Sequence, residues 1–148
     1  MLTKTLIKIF TRDLHRLKAE IMSYKQEENL WLLDKEIANS AGNLCLHIVG
    51  NLKHFIGAVL GNSGYIRQRE LEFSLKNIPR TELLQQVEEA VKVIENVLEK
   101  LSAEDLNKHY PIHVFNEPMT TEYFLVHLTT HLSYHAGQIN YHRRLIDS

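Results

Sequence analysis

Pro79-Arg80-Thr81-Glu82-Leu83-Leu84-Gln85-Gln86-Val87-Glu88-Glu89-Ala90-Val91-Lys92-Val93-Ile94-Glu95-Asn96-Val97-Leu98-Glu99-Lys100-Leu101 is the stretch that decides the fold class. Leu84, Val87, Val91, Ile94, Leu98 and Leu101 are spaced 3, 4, 3, 4 and 3, the a/d rhythm by which one helix packs along another in a left-handed bundle. Pro79 suits the first turn of a helix, where its missing N–H costs no hydrogen bond. Glu88 and Lys92 stand at i, i+4 on the polar side, an arrangement worth roughly 0.2–0.5 kcal/mol. So narrow an apolar seam needs other helices to cover it.

Three further stretches supply them. From Thr3 to Asn29, Leu6, Phe10, Leu14, Leu17 and Ile21 draw one apolar stripe, spaced 4, 4, 3 and 4. A second helix begins at Asn39 or Ser40, both good N-caps, and runs to Gly61, a candidate C′ glycine. Few of its positions look solvated, and Gly42, Gly50 and Gly57 are expected to let other backbone come close, as in a central helix. The last helix spans Thr121 to Ile146. Ser102-Ala103-Glu104-Asp105 has the capping-box form and starts one short turn. The segment His109 to Met119 reads as an extended connection or a small hairpin. Leu30-Trp31-Leu32-Leu33 is apolar but aperiodic; it packs over the bundle end or offers exposed apolar surface. Asn62 to Ile78 is 17 residues without periodicity. It reads either as a surface crossover with a short helical turn or as a functional loop whose Arg67 and Arg69 hold an anion. The expected fold is all-α, a four-helix bundle with long crossover connections, in one domain spanning residues 1–148.

Composition narrows the function classes. Of 148 residues, 44% are apolar and 24% charged, so a single core is expected. A net charge of −1 argues against a nucleic-acid or membrane-surface partner held by counterion release. No run reads as the ~20 apolar residues of a membrane span, and Lys4, Lys8 and Arg12 interrupt any secretory segment. The lone Cys45 suits a reducing, cytoplasmic setting and a place in the core. Against six Gly and one Cys, nine His stand out.

His127, His131 and His135 lie four residues apart on the last helix. Side chains at that spacing differ by only ~40° and ~6 Å, so two imidazoles can share one metal ion. His127 and His135 are ~12 Å apart along the axis, too far for one site. Spacing therefore admits His127 with His131, or His131 with His135. The best third ligand is His47, mid-way along the most buried helix, where an unpaired imidazole would be costly. His54, two turns on, shares its face but not its site. Cys45 points away from His47. His15, His109, His113 and His142 read as surface residues, and no Asp or Glu is evident near the ligands.

A mid-helix His followed on the last helix by His127-Leu128-Thr129-Thr130-His131-Leu132-Ser133-Tyr134-His135-Ala136-Gly137-Gln138 resembles the DinB-like superfamily of metal-binding four-helix bundles. More narrowly, Asn39-Ser40-Ala41-Gly42-Asn43-Leu44-Cys45-Leu46-His47 with Gly50-Asn51-Leu52-Lys53-His54-Phe55-Ile56-Gly57-Ala58 resembles a subgroup of unknown function within it. The resemblance covers essentially the whole chain. It implies metal ligands at His47, His131 and His135, a divalent ion such as zinc or nickel, and a homodimer. His127 then becomes a core residue or a support to the ligands. Several members are enzymes that use a low-molecular-weight thiol as nucleophile on a small-molecule substrate. Relatives often carry Arg after the last ligand, where this chain has Ala136. Three neutral imidazoles leave a coordination position open, the pattern of a catalytic site. The expectation is a metal-dependent thiol transferase or hydrolase, with Arg67 or Arg69 holding an anionic group and Gln138 and Tyr134 near the site. The alternative is a non-catalytic metal-binding or dimerising module.

Overall fold

The computed structural model describes residues 1–148 and is all-helical, without a β-strand. Four long helices frame it: α1 (Leu2–Ser23), α2 (Ala41–Leu52), α4 (Arg80–Leu98) and α6 (Thr121–Ile146), with short helices α3 (Arg69–Ser74) and α5 (Ala103–Asn107) between them. α1 packs against α4 and α6, and α2 against the same two, while α1 and α2 barely touch. The long helices thus surround one core, with α1 and α2 diagonally opposed.

The α1 stripe is buried as its spacing predicts, Leu6 through Ile21. The helix stops at Ser23 rather than Asn29, because the next backbone donors are taken elsewhere. The Asp147 carboxylate accepts from the N–H of Lys25 at 2.6 Å and of Gln26 at 3.1 Å, and from Asn29 Nδ2 at 2.9 Å. A 3-10 turn, Glu27–Trp31, follows. Leu30 and Trp31 from the aperiodic segment are buried; only Leu32 and Leu33 are exposed.

α2 is capped by Ser40, whose hydroxyl accepts from the Asn43 N–H at 3.2 Å, and every residue from Ala41 to Leu52 is buried. Its continuation, Lys53–Leu60, is π-helical. Two readings of its glycines need correction. At Gly61 φ is −101°, so the residue is not a left-handed cap. A Cβ there would meet Val97 Cγ2 at 2.5 Å, and glycine is needed for space. The approaches to Gly42 and Gly50 come from side chains, Trp31 and Glu72, not from backbone. By length and composition Ala41–Leu60 is also sufficient for a membrane span, contrary to the expectation above, but most of it is buried among the other helices.

On α4 the seam is displaced by one residue at its start. Leu83 is fully buried and Leu84 only partly, and Ala90 joins Val87, Val91, Ile94 and Leu98 in the core. A straight helix at 3.6 residues per turn explains the drift from a strict 3.5-residue repeat. Glu88 pairs across to Lys18 on α1 at 2.9 Å rather than with Lys92. The Ser102–Asp105 capping box forms as expected. The connection from His109 to Met119 contributes one isolated bridge, His109 to Thr120, and no hairpin strands.

His142 is not a surface residue. It is buried, its Nδ1 2.6 Å from the Tyr24 hydroxyl and its Nε2 2.9 Å from the Leu32 carbonyl. The hydroxyl donates to Nδ1 and Nε2–H donates to the carbonyl, which satisfies both ring nitrogens. A one-sided spacing argument misses this because the partners come from the α1–α2 connection.

Candidate metal centre

His47 on α2 and His131 and His135 on α6 converge. Their ligand atoms all lie within 4.8 Å of one another, a group that could hold a metal ion. His131 Nε2 lies 3.2 Å from His47 Nε2 and 3.1 Å from His135 Nε2. Nitrogens sharing one tetrahedral ion at bond lengths of ~2.0–2.1 Å stand ~3.3–3.4 Å apart. The two close pairs are within a few tenths of an ångström of that spacing.

The far nitrogens are tied on two of the rings. His47 Nδ1 is 3.0 Å from Glu72 Oε1, and His135 Nδ1 is 2.7 Å from Gln138 Oε1. An ionised carboxylate and an amide oxygen only accept, so both rings carry their proton on Nδ1 and turn a bare Nε2 inward. Glu72 is buried and shared: Arg67 Nε donates to Oε2 at 2.9 Å and Arg67 Nη2 to Oε1 at 3.0 Å. Burial alone would push the Glu72 carboxyl up, but the bonds from His47 and Arg67 outweigh it and hold the group below the usual carboxylate range.

His131 sits between two inward lone pairs. Burial, then His135 and His47, push it down to about 3, so it is neutral at physiological pH. Burial also lowers His135, against the opposing bond from Gln138. Neutral His131 has at most one Nε2–H for two neighbouring acceptors, which leaves lone pairs facing each other. A cation bound among the three rings would relieve that arrangement, in keeping with a group that could hold a metal ion.

Packing explains how Glu72 reaches the site. Asn43 Nδ2, near the start of α2, donates to the carbonyls of Glu72 at 3.0 Å and Leu75 at 2.8 Å, pinning α3 against α2. Gly50 then makes room for the carboxylate: a Cβ at 50 would lie 2.0 Å from Glu72 Oε2. Gly50→Ala is therefore expected to displace a carboxylate that Arg67 and His47 hold in place. It should lower stability by ~1–3 kcal/mol despite the better helix propensity of alanine. Urea denaturation of the metal-free protein checks this; unchanged or increased stability would refute the account.

The other residues singled out from the sequence divide. Between the two α6 pairs that spacing admits, the structure brings His131 and His135 to His47. His127 packs instead on Phe115 and Phe124, with ring centroids 5.0 and 5.8 Å away. Arg67 is committed to Glu72 and is not free to clamp an anion. Arg69 is exposed, its guanidinium 5.2 Å from the Phe73 ring, which lies 4.8 Å from His47. Tyr134 is exposed, 5.5 Å ring to ring from His135. His54 stays outside the group, its Nδ1 buried without a partner. Cys45 is buried in the core, its thiol pushed up by burial.

The expectation that no carboxylate stands near the ligands is wrong: Glu72 contacts one directly. It lies 25 residues from His47 in a stretch without periodicity, so spacing gives no sign of it. The available signal was Gly50, three residues after His47 on the same side of the helix, where the close approach it allows is that of the Glu72 side chain rather than of backbone.

Fold and site together define an all-helical protein with a three-histidine group able to hold a metal ion. The chain belongs to the family described as protein of unknown function (DUF1572), which matches residues 3–148. No curated protein matches it.

Proposed function

We propose that this chain is a DinB-like four-helix-bundle protein that holds a divalent ion, zinc or nickel, on His47, His131 and His135. It uses the ion to activate a low-molecular-weight thiol, or water, against a small-molecule substrate. The observation that carries this reading is the convergence of the three Nε2 atoms, with the tautomers of His47 and His135 already set by Glu72 and Gln138. A divalent ion on three neutral imidazoles supplies Lewis acidity and favours the anionic, nucleophilic form of a thiol or water at neutral pH.

The chain's own residues supply the rest. Glu72 and Arg67 hold His47, Gln138 orients His135, and Phe73 covers one side of His47. Arg69, over Phe73, offers a positive charge to an anionic substrate group. Both oxygens of Glu72 are engaged, so it is not placed as a free general base. That favours thiol transfer, where the nucleophile needs only deprotonation, over hydrolysis with a carboxylate base. A single, buried Cys45 agrees with a cytoplasmic setting.

One observation favours a second, non-catalytic reading: the ligands come from α2 and α6, so an ion there would staple two long helices. Elemental analysis of protein purified without a histidine tag tests both, followed by bacillithiol-, glutathione- and cysteine-type thiols with electrophiles, and simple esters. A stoichiometric ion and turnover that is lost in His131→Ala support the enzyme. A stoichiometric ion, no turnover and a Tm lowered by chelation support the staple. No bound ion sinks both.

A further inference from the structure

The π-helical extension of α2 borders a cavity remote from the histidines. About 650 Å³ in volume, it lies between that extension, the end of α4, α5 and the connection that leads into α6. Small-molecule sites span ~300–1,000 Å³. Gly57, on its wall, stands ten residues beyond His47, ~15 Å along the helix. π-helical turns are rare and frequently stand at functional sites. Here two glycines face α4: a Cβ at 57 would meet Val93 Cγ1 at 3.1 Å and one at 61 would meet Val97 Cγ2 at 2.5 Å, so larger side chains would fill the cleft. The lining divides by character. Leu60, Val93, Val97 and Leu101 are partly buried and make an apolar wall, while Lys100, Lys108 and His109 are exposed at the rim. The one acid among the lining residues, Asp105, is already engaged. It accepts from Lys108 Nζ at 3.1 Å and from the Ser102 N–H at 2.9 Å.

We propose that this cavity binds a small amphiphilic carboxylate, its hydrocarbon body on Val93, Val97 and Leu101 and its charge beside Lys100. The apolar wall gains from covering by a hydrocarbon of matching size, at roughly 25 cal/mol per Å² removed from water. The charge at the edge selects an anion, because Lys100 has no acid partner and Asp105 is committed to Lys108. One unpaired ammonium suits the single charge of a carboxylate better than the about −1.5 to −2 of a phosphate ester. His109 adds an imidazole at the same edge, and the bridge between its backbone and that of Thr120 fixes where it stands. The site shares no residue with the three-histidine group and does not depend on the metal reading.

Calorimetric titration of the full chain with octanoate, with and without zinc, tests this. A 1:1 complex indifferent to zinc is expected. Hexanoate, two methylenes shorter, should bind ~5–10-fold more weakly. Lys100→Glu should weaken octanoate ~10-fold by turning attraction into repulsion, with helical circular dichroism unchanged because the side chain is exposed. Val93→Phe, which puts a ring where the hydrocarbon would lie, should abolish the complex. No binding of octanoate at millimolar concentration overturns the proposal, as does a complex indifferent to Lys100→Glu or one retained by a folded Val93→Phe. Octanoate held only when zinc is present places the carboxylate on the metal and overturns the cavity. Inorganic phosphate or hexanoate bound as tightly as octanoate reduces the site to surface charge and overturns its apolar half.

Discussion

His131→Ala is expected to lose metal binding altogether at concentrations where the wild type is saturated, read by titration with zinc and by elemental analysis. The ring is the common neighbour of the other two, 3.2 Å from His47 and 3.1 Å from His135. Its removal takes away a ligand and separates the two that remain. The loss should exceed the ~10–100-fold that removal of an outer hydrogen-bond partner costs. The same variant has a second expected phenotype of opposite sign. In the metal-free wild type His131 is held down to about 3 by burial and its neighbours, whereas in the unfolded chain it protonates near the ordinary histidine value of ~6.5. Between those values the unfolded state binds the extra proton, so folding stability falls as the pH drops from ~6.5 and levels off below ~3. The slope is at most ~1.4 kcal/mol per pH unit, less for solvent screening of a half-buried ring. Metal-free His131→Ala should lose stability less steeply on acidification, measured by urea denaturation across that range. Retained metal affinity in this variant would remove the basis of the proposed site.

Glu72→Ala should be the most destabilising single change at the site, by ~3–5 kcal/mol. It strands the Arg67 guanidinium, whose side chain is only 11% exposed, beside a cavity where its carboxylate stood. It also frees His47 Nδ1 from its acceptor, so the ring loses both tautomer preference and orientation, and zinc affinity should fall ~10–100-fold. Glu72→Gln separates the two effects. The amide can still accept from His47 but carries no charge for Arg67, so it should recover part of the metal affinity while remaining destabilised. Thermal melts with and without zinc, together with competitive titration, give both quantities. If Glu72→Ala matched the wild type in zinc affinity, the carboxylate would have no part in orienting His47.

The heptad-like stripes on α1 and α4 and the continuous apolar run of α2 were legible because helical period and burial are local properties: residues three and four apart share a face whatever packs on it. His47, His131 and His135 were identified the same way, with a resemblance choosing between the two α6 pairs. The structure's choice has a local cause as well, since His127 is occupied by Phe115 and Phe124. The end of α1, the burial of His142 and the role of Glu72 were not legible. Each depends on a hydrogen bond spanning at least 25 positions in the chain, and periodicity carries no information about such partners.

By itself, then, the amino-acid order determined an all-helical chain, a capping box at Ser102, a helix start at Asn39 or Ser40, and the residues able to donate nitrogen to a cation. Tertiary structure alone decided which tautomers those imidazoles hold and why a glycine stands at position 50. The reason is physical. A helix sets the direction of a side chain, but only the docking of α3 against α2, through Asn43 and the notch at Gly50, brings a carboxylate to the back of His47.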